Sequence, residues 1–367
     1  KLRSSFLRGL EKVGGFGGKS DILAQNAVYT GDPGYYKKSL EMIENASRED
    51  IMSVANEWLS RGTYNLEVHP TEKLVSNEEG VDRSSVPVTE TFPESKFIKF
   101  QKEALSNGLN LVVAKQENIP IVSFNLLLDA GYAADQYSAP GTSSMVMSML
   151  DEGTEKMDAL EISDRASEIG AIISSGAGID TSSVSMNALR ENLDDSLKLY
   201  SEIILEPSFP DRELERIRNQ KLAQIQQEKN QPFGIALRVL PELLYGESHA
   251  YSLPLTGSGT EESVMQIDRQ SLINYHNEWF KPNNATMIIV GDVEMDQMKP
   301  MLEKHFKNWK SGIVPEKDIA DVSVAKSDSV YLIDRPGSQQ SIVLAANIAP
   351  GKGDSDDLAI ESMNDVI

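Results

Sequence analysis

The first sixty residues alternate short apolar-periodic stretches with glycines. Residues 36–46 and 48–59 each place apolar side chains at helical spacing. The second stretch is entered through Ser47, with Asp50 three residues later, close to a capping box. TYNLEVHP (63–70) alternates and then breaks at proline, which predicts a strand. Residues 71–96 are polar, aperiodic and interrupted by Pro87 and Pro93, so they read as a linker. A hairpin is predicted next, with FIKFQKEAL and LNLVVAKQ on either side of a Ser-Asn-Gly turn at 106–108. PIVSFNLLLDAG (120–131) is mostly apolar, the pattern of a strand covered on both faces.

Helices are predicted at 139–151 and 159–169, and 175–189 reads as one glycine-started polar strand. Residues 191–205 predict a helix with Leu193, Leu197, Tyr200, Ile203 and Ile204 on one stripe, ended by Pro207 and Pro210. A longer, more polar helix is expected at 211–228, a strand at 285–293 and a helix at 297–309. After a second linker at 312–325, residues 329–350 predict two strands, and a helix begins at Ser355. This order is α+β, a mixed sheet with helices packed on it. The linkers bound one complete domain, 97–311, between the tail of one unit (1–70) and the head of another (326–367). The chain opens without an initiator methionine or signal peptide and closes inside a helical pattern, which reads as a segment of something longer.

Composition narrows the function. The 367 residues allow two to three domains, and 40% hydrophobic with 25% charged residues is a globular balance. Nothing approaches the run of roughly 20 apolar residues that a membrane helix needs. With 35 lysines and arginines against 56 aspartates and glutamates, the formal charge is −21. Such a chain repels phosphate, so nucleic acid is not an expected partner, whereas cationic peptide suits it. The absence of cysteine rules out disulfides, thiolate metal sites and cysteine nucleophiles.

The remaining candidates for chemistry read as structure. GGFGGKS (14–20) lacks the glycine that a phosphate loop places five residues before its Gly-Lys-Ser, because Val13 stands there. His69, His276 and His305 read as helix or surface histidines, and His249 lies in a loop. No two histidines sit four apart, and no GxSxG occurs. The pairs Asp151–Glu152, Asp194–Asp195 and Glu261–Glu262 are adjacent and so cannot face each other on a helix. Met145, Met147 and Met149 read as packing.

Several stretches together carry a resemblance. LSNGLNLVVAKQENIPIVSFNLLLDAGYAAD with PGTSSMVMSMLDEGTEKMDALEI resembles the opening of a domain of the insulinase–pitrilysin (M16) metalloproteases. ALRENLDDSLKLYSEIILEPSFPDRELERIRNQKLAQIQQEKNQP is similar to that family's helix pair. YGESHAYSLPLTGSGTEESVMQI and YHNEWFKPNNATMIIVGDV continue it, and VYLIDRPGSQQSIV is similar to the start of a following domain. LRGLEKVGGFGGKSDILAQ and NLEVHP resemble the end of a preceding one. The resemblance implies an M16-type domain with a mixed, mainly antiparallel sheet, flanked by partial domains of the same type.

Active members carry HxxEH a fixed distance before a Gly-Thr, here Gly153–Thr154. That distance implies the histidine positions at Ser144 and Ser148 and the glutamate at Met147. The third ligand would fall near Ala223 and Gln224, with Glu228 the nearest acid downstream. Neither Ser144, Met147 and Ser148 nor Ala223 and Gln224 suit zinc or a general base. No metal is therefore expected in this segment, zinc being implied for an HxxEH half upstream in the same parent chain. The resemblance also implies that an arginine and a tyrosine completing the active site follow Ile367.

The first expectation is therefore a non-catalytic half of a bacterial M16 zinc metallopeptidase, inactive alone, enclosing peptide for its HxxEH partner. A peptide would add to an edge strand around 178–186, at Gly178, Ile179, Asp180, Thr181 and Ser182. The alternatives are a purely structural or peptide-binding M16-fold protein, possible as a homodimer, and an active peptidase whose ligands would include His249 or Glu228. Long bacterial members lean towards the periplasm.

Overall fold

The computed structural model describes residues 2–9, 17–63, 65–67, 98–117, 120–322, 329–338 and 340–366. The chain divides into two compact units, one mainly residues 8–99 and the other mainly 100–367. The linker expected at 71–96, His69 and residues 14–16 of the glycine-rich stretch lie outside the described residues. Of residues 63–70, those described, 63 and 65–67, form no strand.

The first unit is helical. Its helices are α2 (Lys19–Thr30), α3 (Tyr36–Asn45) and α4 (Arg48–Leu59), whereas residues 3–7 of α1 (Leu2–Gly9) count with the second unit. Gly18 caps α2 in extended backbone. The box at α4 is reciprocal, as the spacing predicts: Asp50 N–H donates to the Ser47 hydroxyl, and Ser47 N–H donates to the Asp50 carboxylate. The amphipathic helices α3 and α4 contain no buried residue among those described, and Met42, Ile51, Val54 and Trp58 stand exposed.

The second unit is built on one six-stranded sheet. Its strands are β1 (Phe100–Ala104), β2 (Asn110–Lys115), β3 (Ile121–Leu128), β4 (Ile172–Ala177), β5 (Ser182–Leu189) and β6 (Ala285–Gly291). Their order is β1-β2-β6-β3-β5-β4, with β2 and β6 parallel and every other pair antiparallel. The sheet is thus mixed and mainly antiparallel, and β1 and β4 are its outer strands.

Alternation sorts the two faces. Phe124, Leu126, Leu128, Val184, Met186, Met287 and Ile289 are fully buried on one face. They join a single core with α5 (Thr142–Met149), α6 (Ala159–Ile169), α7 (Leu193–Leu205), α8 (Asp211–Asn230) and later helices. The opposite face of β3, β5 and β6 is only half-buried, and polar at Ser123, Asn125, Ser183, Ser185, Asn187 and Thr286. The expectation that β3 is covered on both faces therefore fails: its outward positions include Ser123 and Asn125, which a one-sided antiparallel sheet leaves partly in water.

α9 (Pro232–Tyr245), α10 (Glu261–Gln266), α11 (Arg269–Trp279) and α12 (Met295–Phe306) complete the packing, and α13 (Asp357–Val366) follows near the end. The first three had no element assigned from sequence. α9 opens on Pro232, carries Pro241 inside and is apolar on most sides, so its periodicity is masked. α10 is a single capped turn and a half. The single strand read at 175–189 is instead a hairpin, β4 and β5 turning at 178–181. The described residues of 329–350 form no strand, and Val330, Leu332 and Val343 are more than nine-tenths exposed. A strand needs a neighbour to satisfy its backbone, and none stands beside these residues among those described.

Candidate functional site

α5 is the helix on which the metal positions fall, and its seat is well defined. Gly141, in the left-handed region at φ 99°, starts it. The buried Asp135 accepts from the amides of Gly141 and Ser143 at 2.7 and 2.9 Å, satisfying the helix's first donors. Burial pushes this carboxyl up to about 7, against the pull of those hydrogen bonds.

The three residues that the resemblance places at the metal positions, Ser144, Met147 and Ser148, serve packing and internal hydrogen bonds here. Met147 is buried and belongs to the hydrophobic core. Ser148 donates its hydroxyl to the Ser144 carbonyl at 2.8 Å, and Ser175 of β4 donates to the Met147 carbonyl at 2.6 Å. Ser144 is buried, and its hydroxyl lies so close to Gly257 that a Cβ there would approach it to 2.9 Å.

The third position that the resemblance implies falls on α8. Ala223 is exposed, and Gln224 donates its amide to Glu228, one turn on, at 2.9 Å. Glu228 is in turn enclosed. Arg238 of α9 donates to it at 2.7 Å, Ser258 at 2.8 Å and Thr256 at 3.2 Å. Arg238 also reaches the Ser258 hydroxyl and the Gly259 carbonyl, both at 2.7 Å. The Glu228 and Arg238 side chains are about one-tenth exposed, at 11% and 10%. Burial pushes the Glu228 carboxyl up, but hydrogen bonds from Ser258, Arg238 and Gln224 and the guanidinium charge hold it below the usual value. Lys221, on the same helix, is lowered by burial.

This donor set does not fit zinc. Serine, methionine and glutamine offer neither imidazole nor carboxylate, and the one nearby acid already accepts four hydrogen bonds. His249 lies elsewhere, after α9, with its ring stacked on Tyr245 at 5.0 Å. No group of three histidines, cysteines or acids that could hold a metal occurs among the described residues. The sequence flagged Glu228 but not Arg238, Thr256 or Ser258, whose convergence depends on α9 and the 256–259 loop folding back over α8.

The proposed peptide residues need correction. Residues 178–181 form the turn between β4 and β5, and Ser182 opens β5, which lies inside the sheet between β3 and β4. The Gly178, Ile179 and Asp180 carbonyls accept from the amides of Tyr132, Ala133 and Gly131, each at 2.9 Å. The Ser182 hydroxyl donates to the Ala130 carbonyl. These groups are spent within the fold and cannot pair with a strand from outside.

On this side of the sheet the outer edge is that of β4. The Gly178 amide donates to the Thr181 carbonyl, so pairs alternate from there with bonded positions at Gly176, Ser174 and Ile172. The amides and carbonyls of Ile173, Ser175 and Ala177 therefore face away from β5. No further strand pairs with them among the described residues.

The insulinase (peptidase family M16) model matches residues 111–255, and the peptidase M16 inactive domain model matches residues 266–367. Together they cover about two thirds of the chain. The chain belongs to the M16 peptidase family. The crystal structure of a peptidase M16 inactive domain from Pseudomonas fluorescens is similar at a TM-score of 0.59 and 26% identity, over 62% of this chain and 55% of that one. The non-peptidase homolog YmxG of Helicobacter pylori is 22% identical over 65% of this chain and 56% of its own length. Subunit 1 of the bovine mitochondrial cytochrome b-c1 complex is 22% identical over 73% and 55%. This M16 chain spans about half the length of such curated relatives. Its fold is that of the family's non-catalytic inactive domain, and among the described residues no helix is long and apolar enough to cross a membrane.

Proposed function

We propose that this chain is the non-catalytic half of a bacterial M16 zinc peptidase, holding peptide for an HxxEH half in the same parent chain. One observation carries the reading: the metal positions on α5 and α8 are rebuilt as packing and internal hydrogen bonds, while β4 beside α5 keeps a free edge. In this reading residues 1–70 close a preceding M16 domain, 71–96 and 312–325 are linkers, and 326–367 open the next. The exposed apolar side chains of α3 and α4, and of Val330, Leu332 and Val343, are then surfaces that the rest of those domains cover.

Peptide would add to β4 through Ile173, Ser175 and Ala177, using backbone bonds that ask for no particular sequence. Beside it lies the polar half-open face of the sheet, with Ser123 bonded to Asn187 at 2.7 Å and Ser174 to Ser185 at 2.9 Å. The net charge of −21 favours cationic peptide.

The test is fluorescence anisotropy with a labelled, unstructured cationic peptide, comparing the chain with Ala177→Pro. Proline removes an outward N–H and no ladder bond to β5. The expected result is saturable binding weakened at least ~10-fold by the substitution, about 1.4 kcal/mol. Binding that is absent, or indifferent to the substitution, favours the second reading, a structural M16-fold protein. The similarity to a cytochrome b-c1 subunit supports that alternative.

A further inference from the structure

Residues 310–322 contain neither helix nor strand, yet their course is fixed from several sides. Ser311 donates to the Asn107 carbonyl. Gly312 and the Asn283 side chain exchange two hydrogen bonds, at 2.9 and 3.0 Å. Tyr137 donates to the Glu316 carbonyl. Lys317, with its side chain only 7% exposed, pairs with the Asp129 carboxylate at the end of β3 and donates to the Asp180 carbonyl at 3.0 Å. Asn283, Tyr137 and His249 hold the strap from outside, and Ser311 and Lys317 are its own anchoring side chains. Its one internal backbone bond runs from Ile319 N–H to the Lys317 carbonyl.

The last anchor is His249. The Tyr251 amide donates to its Nδ1 at 3.0 Å, so Nδ1 is unprotonated and Nε2–H donates to the Ala320 carbonyl at 3.0 Å. The ring stacks on Tyr245 at 5.0 Å and meets the edge of Tyr251 at 5.4 Å, and Tyr251 donates to Asp180 at 2.6 Å. The end of α9, the β4–β5 turn and the strap are therefore tied through one imidazole and one lysine.

We propose that residues 310–322 are a latch, closed by Lys317 and by neutral His249 and opened when His249 takes a proton. A proton on Nδ1 would face the Tyr251 N–H, two donors with no acceptor between them. The ring must then leave its seat, and the Ala320 bond goes with it. The charged groups tied to this seat are Asp180 in the β4–β5 turn, which accepts from Tyr251, and Lys317, which pairs with Asp129 and donates to the Asp180 carbonyl. Asp318 and Asp321 flank Ala320 on the strap in sequence. Tyr245, Glu247 and Tyr251 lie on the ring's own segment. Val314 packs against the core, so opening releases residues 315–322 beyond it while the core of the sheet domain stays folded.

The chain has no cysteine, so a single nitroxide on Asp318→Cys, at an exposed strap position, reports the latch alone. The spin-label spectrum is compared between about pH 8 and about pH 5.5, the range in which histidine changes charge. The expected result is a restricted spectrum at the higher pH and a mobile component that grows severalfold on acidification. His249→Phe should show the mobile component at both values with no pH response, and Lys317→Met should raise it at the higher value. A native spectrum that does not change with pH overturns the proposal, as does a pH response that survives His249→Phe. The native titration decides the question even if a variant fails to fold.

Discussion

Glu228 and Arg238 form a part-buried pair whose value lies in being complete. Replacing one partner leaves the other charged and only partly solvated, which costs on the order of 1–3 kcal/mol. Glu228→Gln alone is expected to destabilise the sheet domain by that order, while Glu228→Leu with Arg238→Met should cost clearly less than the sum of the single changes. A denaturant double-mutant cycle measures the difference, and strict additivity would refute the coupling. His276 gives a second test. Burial against Phe209 and Phe280 pushes its imidazole down to about 4 from an ordinary 6.5, despite its bond to the Ile204 carbonyl. The folded state thus refuses a proton that the unfolded chain accepts. Its contribution is complete above pH 6.5 and is lost as pH falls towards 4, about 3 kcal/mol at most. His276→Phe should flatten that limb of the stability-against-pH curve. At this scale the sequence was informative by exclusion. Ser144, Met147, Ser148 and Gln224 cannot ligate zinc by their chemistry alone. The Arg238 contact was not legible, since nothing local to Arg238 announces a partner ten residues back across a helix junction.

Among the elements, those with a strong local signal were read correctly. The hairpin β1–β2 follows from its Ser-Asn-Gly turn, α6 from its periodicity, and α4 from Ser47 and Asp50, each fixed by neighbours within a few residues. The β4–β5 hairpin was missed because SGAGIDTSS continues as small and polar residues with no apolar break at the turn. That error moved the expected peptide edge onto β5, an inner strand, and pairing order is a long-range property that periodicity does not report. The loop after α9 carries another expectation. Gly257 has φ +63°, and a Cβ there would come within 2.7 Å of the Tyr132 ring as well as against Ser144. Gly257→Ala should destabilise the chain by about 2 kcal/mol, and a thermal melt indistinguishable from the native one would contradict the close seating of this loop on α5.

For the whole molecule, the net charge of −21 suits the cationic peptide of the proposed reading. The core of residues 100–309 is continuous, whereas α3, α4 and the 329–350 stretch leave apolar side chains exposed. The strand pattern of 329–350 was legible, but strands form only where a sheet receives them. The central claim is that the catalytic positions have been converted into structure. It is tested most directly by zinc per chain, measured by elemental analysis after dialysis of the purified protein against trace zinc. The account predicts a value near zero, unchanged by Glu228→Gln or by replacing His249. One zinc per chain, lost with either substitution, would contradict it and would make this segment a metal-binding one.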